Sequence, residues 1–391
     1  MLKIFLGRGE EKRIRAGHPW VFSNEIRDIK GEKIPGTTTE VYDSEGRFIG
    51  TGYYNPSSLI SVRILSRQQI DIDTVSFFRE RIEKALHYRR SIYPGMTSFR
   101  AVYSEGDFLP GLIVDKYGDY LAVQFLTRGM DSRRELIVSA LQDVFASRGI
   151  VARNDTGMRI MEGLEETVEI LWGEIPGTVE VEEHGLRFKV DIQRGQKTGH
   201  FFDQKDNHLL LKEISRNKDV LDCFCYTGSW GLHAASFGAA SVSCIDVSEK
   251  ALTLARENAA INGLTTPIRF EAEDVFDRLR TLKSEGSSFD IVVLDPPAFV
   301  KSRKAIKEAE KGYLTINRRA MEILREGGYL ITCSCSYHMG REMFRDTLTR
   351  AAKLAGKEIR VLASSAQALD HPVLLAVPET EYLKCFLLQV V

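Results

Sequence analysis

The alternation of hydrophobic and polar positions changes along the chain, and the first two patterns predict two small N-terminal domains. Residues 1–69 contain short alternating stretches separated by turn residues, which predicts a small β-barrel. Its clearest strands are 39–42, 48–53 and 59–65. Residues 70–190 combine helical patterns, at about 75–86 and 133–147, with hairpin-like strands, which predicts an α+β middle domain.

The third pattern, over residues 191–391, is a regular alternation of apolar runs and amphipathic helical segments. Short apolar strands joined by crossover helices are typical of a doubly wound α/β sheet. Seven such runs predict seven strands, at 220–224, 241–245, 268–271, 291–294, 329–332, 359–362 and 382–390.

Composition agrees with a folded, multidomain protein. The chain has 391 residues, of which 43% are hydrophobic and 27% charged, so a largely disordered or fibrous chain is excluded. No apolar run reaches the length of about 20 residues that a membrane helix needs, and Met1–Leu6 is too short for a signal-peptide core. We therefore expect a cytoplasmic protein with six reduced cysteines, and the net charge of −1 identifies no partner.

Acidic residues stand at three successive strand ends of the third region, where ligands bind in a doubly wound sheet. Asp222 precedes a turn that carries Phe224, Tyr226 and Gly228 but lacks the G-x-G-x-x-G pattern of dinucleotide sites. Asp246 and Asp274 follow the second and third strands, in positions suited to ribose hydroxyls and to an adenine amino group. The set predicts an adenosine cofactor with a cationic centre, S-adenosylmethionine, although each acid could instead cap a helix.

The next two strand ends carry the candidate catalytic residues. Asp295 begins Asp295-Pro296-Pro297, which fixes the backbone leaving the sheet and suits contact with a base edge. Cys335 follows the fifth strand, and a thiolate there could add to C6 of a pyrimidine and activate C5 for methylation.

The cysteines also allow a zinc hypothesis, because adjacent strands could bring two C-x-C pairs together. Structural zinc usually favours C-x-x-C pairs on loops, so we expect no metal there. The four residues are Cys223, Cys225, Cys333 and Cys335.

Two basic segments are candidate RNA contacts. In the first, Lys12 and Arg13 precede His18 and Trp20, a basic stretch beside aromatic residues. A solvated basic edge beside a core tryptophan explains the same pattern. The second segment follows the Pro-Pro turn and suits phosphate contacts, or equally a solvated helix face. Its basic residues are Lys301, Arg303, Lys304 and Lys307.

Taken together, the motifs resemble those of the RlmI-type ribosomal RNA large subunit cytosine-C5 methyltransferases, in the class I S-adenosylmethionine-dependent superfamily. The resemblance spans nearly the whole chain. Its motifs are 17–22 (GHPWVF), 195–204 (GQKTGHFFDQ), 220–228 (VLDCFCYTG), 295–297 (DPP), 334–336 (SCS), 371–372 (HP) and 381–384 (EYLK).

The resemblance implies a PUA-like RNA-binding domain at 1–69, an α+β middle domain at 70–190 and a Rossmann-like methyltransferase domain at 191–391. It implies homodimers, a ribosomal RNA substrate, and Cys335 as the nucleophile because it occupies the S-C-S position, with Cys333 packed in the strand. Asp222, Asp246, Asp274 and Asp295 would border the cofactor. Asp203 and Gln204 belong to the segment that would line the mouth of the site.

Two other functions stay open. D-P-P motifs also occur in amino methyltransferases of adenine or guanine, in which an aromatic residue usually follows the second proline; here Ala298 follows and Phe299 comes next. A ribosome-assembly factor that binds RNA and keeps a vestigial cofactor fold is the alternative without catalysis.

Overall fold

The computed structural model describes residues 1–299 and 306–391 and divides them into two compact units. The first unit comprises residues Met1–Glu182, Val190–Phe202 and Leu369–Thr380. The second comprises Glu183–Lys189, Asp203–Ala368 and Glu381–Val391. Among the described residues, no helix has both the length and the apolar character needed to cross a bilayer.

A six-stranded mixed sheet occupies the start of the first unit, in the order β2-β6-β5-β4-β1-β3. Alternating residues such as Ile4, Val41 and Val62 bury one face as an apolar core. The elements are β1 (Leu2–Leu6), α1 (Glu11–Arg15), β2 (Trp20–Phe22), β3 (Ile26–Lys30), β4 (Thr38–Tyr42), β5 (Phe48–Tyr54) and β6 (Ile60–Ser66).

The first unit also contains a five-stranded sheet in the order β11-β10-β9-β8-β7. The long helix α2 begins at a Thr74 cap, whose side chain accepts from the Phe77 amide, and it buries Phe78 and Ile82 in the core beneath the sheet. The elements are α2 (Val75–Ile92), β7 (Ser98–Tyr103), β8 (Leu112–Tyr117), β9 (Tyr120–Phe125), α3 (Arg128–Asp131), α4 (Arg134–Phe145), β10 (Gly149–Arg153) and β11 (Val168–Gly173). A hairpin of β12 (Val179–Glu183) and β13 (Leu186–Val190) follows.

The second unit is built on a seven-stranded sheet in the order β16-β15-β14-β17-β18-β20-β19, where β20 is antiparallel to both of its neighbours. Val220 and Leu221 face opposite apolar clusters, so helices cover both sides of the sheet. The strands are β14 (Asp219–Cys223), β15 (Ser241–Asp246), β16 (Ile268–Ala272), β17 (Phe289–Leu294), β18 (Leu324–Ser334), β19 (Ile359–Ser365) and β20 (Lys384–Val390). The helices are α5 (Lys205–His208), α6 (Ser229–Ser236), α7 (Glu249–Ile261), α8 (Val275–Ser284), α9 (Ile306–Glu322) and α10 (Arg341–Ala355).

The strand order reverses at β14, which lies between β15 and β17. In a doubly wound sheet the crevice at such a switch point, beyond the carboxyl ends of the strands, is where ligands bind. The topology therefore places the expected ligand site at the loops that follow β14, β15, β17 and β18.

Candidate functional site

The loop between β14 and α6 has a strained backbone. Phe224 and Tyr226 adopt left-handed conformations, with φ of 63° and 49°, and Gly228 caps α6 at φ 87°. A bulky residue rarely adopts this conformation, and two within three residues are typical of a functional loop. All three residues belong to the turn that follows the first strand of the predicted cofactor site.

Asp222, at the end of β14, is an incompletely bonded buried carboxyl group. Its Oδ2 accepts from the Gly231 amide at 2.8 Å, whereas its Oδ1 is buried with no hydrogen-bond partner in the described part of the chain. Burial raises the pKa of Asp222 to about 8, and the charges of Asp295 and Asp246 add to the effect. A bound cation or hydrogen-bond donor would stabilise the ionised form.

Asp246 and Asp274 hold backbone amides. Asp246 accepts from the Tyr226 amide and from the Ser248 amide, both at 2.9 Å, so it ties the strained loop to the end of β15. Asp274 is exposed and caps α8 by accepting from the Asp277 amide at 3.1 Å. For Asp274 the structure thus provides the helix-capping role that was the alternative to cofactor contact.

Two side chains hold Asp295 at the end of β17. The Trp230 indole Nε1 donates to its Oδ2 at 3.1 Å, and the Gln204 amide Nε2 donates to its Oδ1 at 2.9 Å. Burial raises the pKa of Asp295 to about 6; these two bonds oppose that shift, and the charge of Asp203 adds to it. Asp203 in turn accepts from the Tyr382 hydroxyl at 2.5 Å. The structure therefore brings Asp203, Gln204 and Asp295 together.

Cys335 is partly exposed just beyond β18, with its Sγ 3.8 Å from the Pro296 carbonyl oxygen of the D-P-P turn. Cys333 is buried within β18 beside Cys385, and burial raises the pKa of its thiol well above the usual value. The two thiols therefore differ in access, and only Cys335 stands at the edge of the crevice.

Three residues around this site were not predicted to have a role from the sequence. Trp230 holds Asp295, and the buried Lys384 ammonium donates to the Ser336 and Tyr382 carbonyls, both at 2.7 Å, while interacting electrostatically with the Cys335 thiol. Burial lowers the pKa of Lys384 to about 8. The Tyr313 hydroxyl bonds Ser334 and Ser336 on either side of Cys335, both at 3.0 Å. Lys384 stood in the EYLK motif, but nothing in the motif assigned it to the thiol.

The N-terminal candidate RNA residues are largely occupied by internal contacts. His18 is buried with its Nε2 3.3 Å from a Glu379 oxygen, and the Trp20 indole donates to Glu105 at 2.8 Å. Arg13 forms an ion pair with Glu25 at 2.8 Å. These bonds favour the packing role for His18 and Trp20. Lys12 is exposed on α1.

The second basic segment lies mostly outside the described residues. Lys301, Arg303 and Lys304 fall there, and Lys307 is exposed near the start of α9. Among the described residues, the four cysteines of the C-x-C pairs do not form a metal-ligating group.

The donor set fits a cationic adenosine cofactor. Asp222 offers an orphaned buried oxygen, and Asp295 provides a second carboxylate at the switch point. Asp222, Asp246 and Asp295 lie at the ends of neighbouring strands. Their negative charge disfavours the pyrophosphate of a dinucleotide and favours a positively charged ligand.

Two family models match the chain, one near its N-terminus and one over its central and C-terminal regions. Residues 4–67 match the model of a PUA-like domain, and residues 124–361 match the model of the S-adenosylmethionine-dependent methyltransferases. A Pseudoalteromonas atlantica protein named ribosomal RNA large subunit methyltransferase I is 40% identical over 385 residues, which cover 98% of each chain.

Solved structures share the fold over the full length. A structure described as a SAM-dependent methyltransferase from Streptococcus mutans superposes with a TM-score of 0.86 at 23% identity, covering 100% of both chains. A methyltransferase complexed with SAH gives 0.87 at 22% identity with the same coverage. The predicted fold class, with its PUA-like domain, and the predicted cofactor are confirmed.

Proposed function

The chain belongs to the ribosomal RNA large subunit methyltransferase I family of S-adenosylmethionine-dependent enzymes, and on this premise we propose that it methylates C5 of a cytosine in large-subunit ribosomal RNA. The observation that carries the C5 assignment is the position of Cys335, a partly exposed thiol beside the D-P-P turn at the carboxyl edge of the sheet. A ribosomal substrate implies action in the cytoplasm. The homodimer stays a prediction.

In this proposal the acidic strand ends hold the cofactor. Asp222 and Asp295 face the positive charge, and Asp246 and Asp274 are assigned to the adenosine. Phe224, Tyr226 and Gly228 shape the loop beneath it, and Asp203 and Gln204 line the mouth. When bound, S-adenosylmethionine supplies an electrophilic methyl group.

Cys335 performs the covalent step. Its thiolate adds to C6 of the cytosine, so that the electrons of the C5–C6 double bond make C5 a carbon nucleophile for the methyl group. The C5 proton then leaves to a base, the double bond re-forms, and the bond between carbon and Cys335 breaks. The nearby Lys384 ammonium favours the thiolate, because a neighbouring cation lowers the pKa of a thiol.

The environment of Phe299 disfavours amino methylation. Its ring packs against those of Phe224, Phe276 and Tyr313, with the Tyr313 ring centroid 4.8 Å away. An aromatic side chain engaged in the core is a poor platform for stacking on a target base. Ala298, which directly follows the second proline, has no ring to stack.

For the RNA, we propose phosphate contacts by the exposed Lys12 and by Lys301, Arg303 and Lys304. Such contacts position the RNA without reading its sequence. Arg13, His18 and Trp20, which are held by internal contacts, keep their predicted RNA role only as support for the segment around Lys12.

The test uses methyl-labelled S-adenosylmethionine with unmodified large-subunit ribosomal RNA, and with transfer RNA and DNA as controls. We expect the label in 5-methylcytidine from ribosomal RNA. Label in methylated adenosine or guanosine would overturn the C5 assignment. Cofactor binding without transfer to any of these nucleic acids would mean that the substrate or its assembly state is wrong, whereas failure to bind S-adenosylmethionine would favour the assembly-factor alternative.

A second arm isolates the covalent step with RNA that carries 5-fluorocytidine. Fluorine at C5 leaves no proton to remove, so the adduct between Cys335 and C6 persists and is visible as a shifted band on a denaturing gel. We expect the band with wild type and Cys333→Ser and its absence with Cys335→Ser. A band that survives in Cys335→Ser would assign the nucleophile elsewhere.

A further inference from the structure

Three potential metal ligands meet in the interior of the second unit. They are Glu183 at the end of β12, His208 at the end of α5 and His233 in α6. Their side chains are 2%, 2% and 0% exposed, and one ligand atom from each lies within 4.8 Å of the others. Two imidazoles and a carboxylate in one buried cluster form a donor set typical of Zn²⁺.

His233 is oriented as a metal-binding histidine. Its Nδ1 lies 2.8 Å from the Ser229 carbonyl oxygen, which fixes the ring proton on Nδ1 and leaves a lone pair on Nε2. That Nε2 is buried, has no hydrogen-bond partner in the described part of the chain, and lies 3.8 Å from a Glu183 oxygen. A buried, unpartnered nitrogen aimed at a carboxylate calls for a ligand.

A second imidazole lies next to that of His233. His184, in the turn between β12 and β13, has a buried Nε2 with no hydrogen-bond partner among the described residues, and its ring centroid is 6.2 Å from that of His233. The Nε2 of His184 lies 3.8 Å from an Asp206 oxygen. His184 therefore stands beside the three-residue cluster as a candidate fourth ligand.

We propose that Glu183, His208 and His233 bind a divalent transition-metal ion, with Zn²⁺ as the best match, and that His184 completes a tetrahedral site. Binding requires His208 to carry its proton on Nε2, because its Nδ1, now 2.6 Å from Glu183, must offer a lone pair. Ligand distances of about 2.0–2.2 Å then require the three ligand atoms, which lie within 4.8 Å of one another, to close around the ion and His184 to move towards them. The sequence did not predict this site.

The ion would be structural, and it would stiffen the wall that holds Asp295. The His208 ring packs edge-on against Trp230 at 4.6 Å, and Trp230 donates to Asp295. Asn207, next to His208, donates to Gln204, which also donates to Asp295. The ion would thus tie together β12, the turn that follows it, α5 and α6. These ties would fix both donors to the Asp295 carboxylate.

The test begins with metal content. Wild-type protein freed of metal with a chelator is titrated with Co²⁺ and, separately, with Zn²⁺ in competition. We expect one equivalent of Co²⁺ with the intense visible absorption of a tetrahedral site, and its displacement by Zn²⁺. Failure of the folded wild type to take up either ion would overturn the proposal, whether or not the enzyme methylates RNA.

Variants locate the ion. His233→Phe keeps a ring against Phe188, and it should weaken Co²⁺ binding by more than the roughly 10–100-fold that loss of an outer-shell partner costs. His184→Ala, in the partly exposed turn, is the second variant, should the first not fold. Cys225→Ser is the matched control, because Asp222, Cys225 and Cys244 form the other buried group of ligand atoms among the described residues. Co²⁺ absorption lost in Cys225→Ser but retained in His184→Ala and His233→Phe would place the ion there and refute the assignment.

Discussion

The titration of Asp295 should make cofactor binding depend on pH, and differently for substrate and product. S-adenosylmethionine carries a sulfonium charge that S-adenosylhomocysteine lacks. Burial raises the pKa of Asp295 to about 6, so below that pH the carboxyl group is neutral and no longer attracts the cation. Asp203, Asp222 and His208 face the same carboxyl group. The pKa of Asp222, about 8, lies above the range from pH 5 to pH 7 over which Asp295 changes its charge.

The size of the effect follows from that value. Where only the ionised carboxylate supports the sulfonium, the apparent Kd scales as 1 + 10^(6 − pH), so affinity for S-adenosylmethionine falls about tenfold, or ~1.4 kcal/mol, from pH 7 to pH 5. Isothermal titration calorimetry over this range measures both ligands. S-adenosylhomocysteine should change far less, because it brings no positive sulfur.

Asp295→Asn is the decisive variant. An asparagine keeps the shape of the side chain and can still accept from Trp230, but it cannot ionise. Its affinity for S-adenosylmethionine should therefore lose the inflection near pH 6 and keep any change near pH 8. Equal pH profiles for the two ligands in wild type, or an unchanged inflection in Asp295→Asn, would refute the electrostatic role of Asp295.

Three further predictions concern packing and charge around the site. Gly231→Ala should lower the free energy of unfolding by about 1–3 kcal/mol in chemical denaturation, because its Cβ would lie 2.5 Å from a buried sulfur, whereas Gly340→Ala, with open space, should be near neutral. Asp222→Asn should stabilise the cofactor-free protein relative to wild type by a margin that grows from the ordinary aspartate pKa of 3.8 up to about pH 8 and then levels off, because in this range the wild-type carboxyl group ionises in the unfolded chain but stays protonated in the folded one; equal melting profiles would contradict this. Lys384→Met should slow methyl transfer and move its pH profile upward, because the Cys335 thiolate loses a nearby cation; an unmoved profile would leave Lys384 a packing role.

Much of the second unit could be predicted because its strands are short, apolar and separated by helices. The prediction of 241–245 corresponds to Ser241–Asp246, and Asp246 stands at the strand end where the pattern placed it. β18 was underestimated as 329–332, whereas it spans Leu324–Ser334. Glu326, Gly327 and Gly328 interrupt the apolar run there, although the backbone continues in the sheet.

The first unit was less predictable because charged residues share its strands. β1 and β3 pair Lys3 with Lys30 and Phe5 with Asp28, so neither strand reads as a continuous apolar stretch. Neighbouring strands and α1 bury the other face, through Ile4 and Ile14. Only the pairing of these strands, which is a tertiary property, makes them a sheet.

The side chains that hold each predicted acidic residue in place could not be predicted from the sequence. Asp295 was placed by its motif, but its titration depends on Trp230 and Gln204, which lie 65 and 91 residues away along the chain. Likewise Glu183 and His208 are 25 residues apart and carry no spacing signal, yet the fold makes them neighbours. Strand ends can be predicted from short stretches of sequence, because apolar strands and amphipathic helices alternate regularly in this domain. The residues that tune the chemistry are fixed by packing between elements, so the pKa of Asp295, more than its position, is the property that the structure adds.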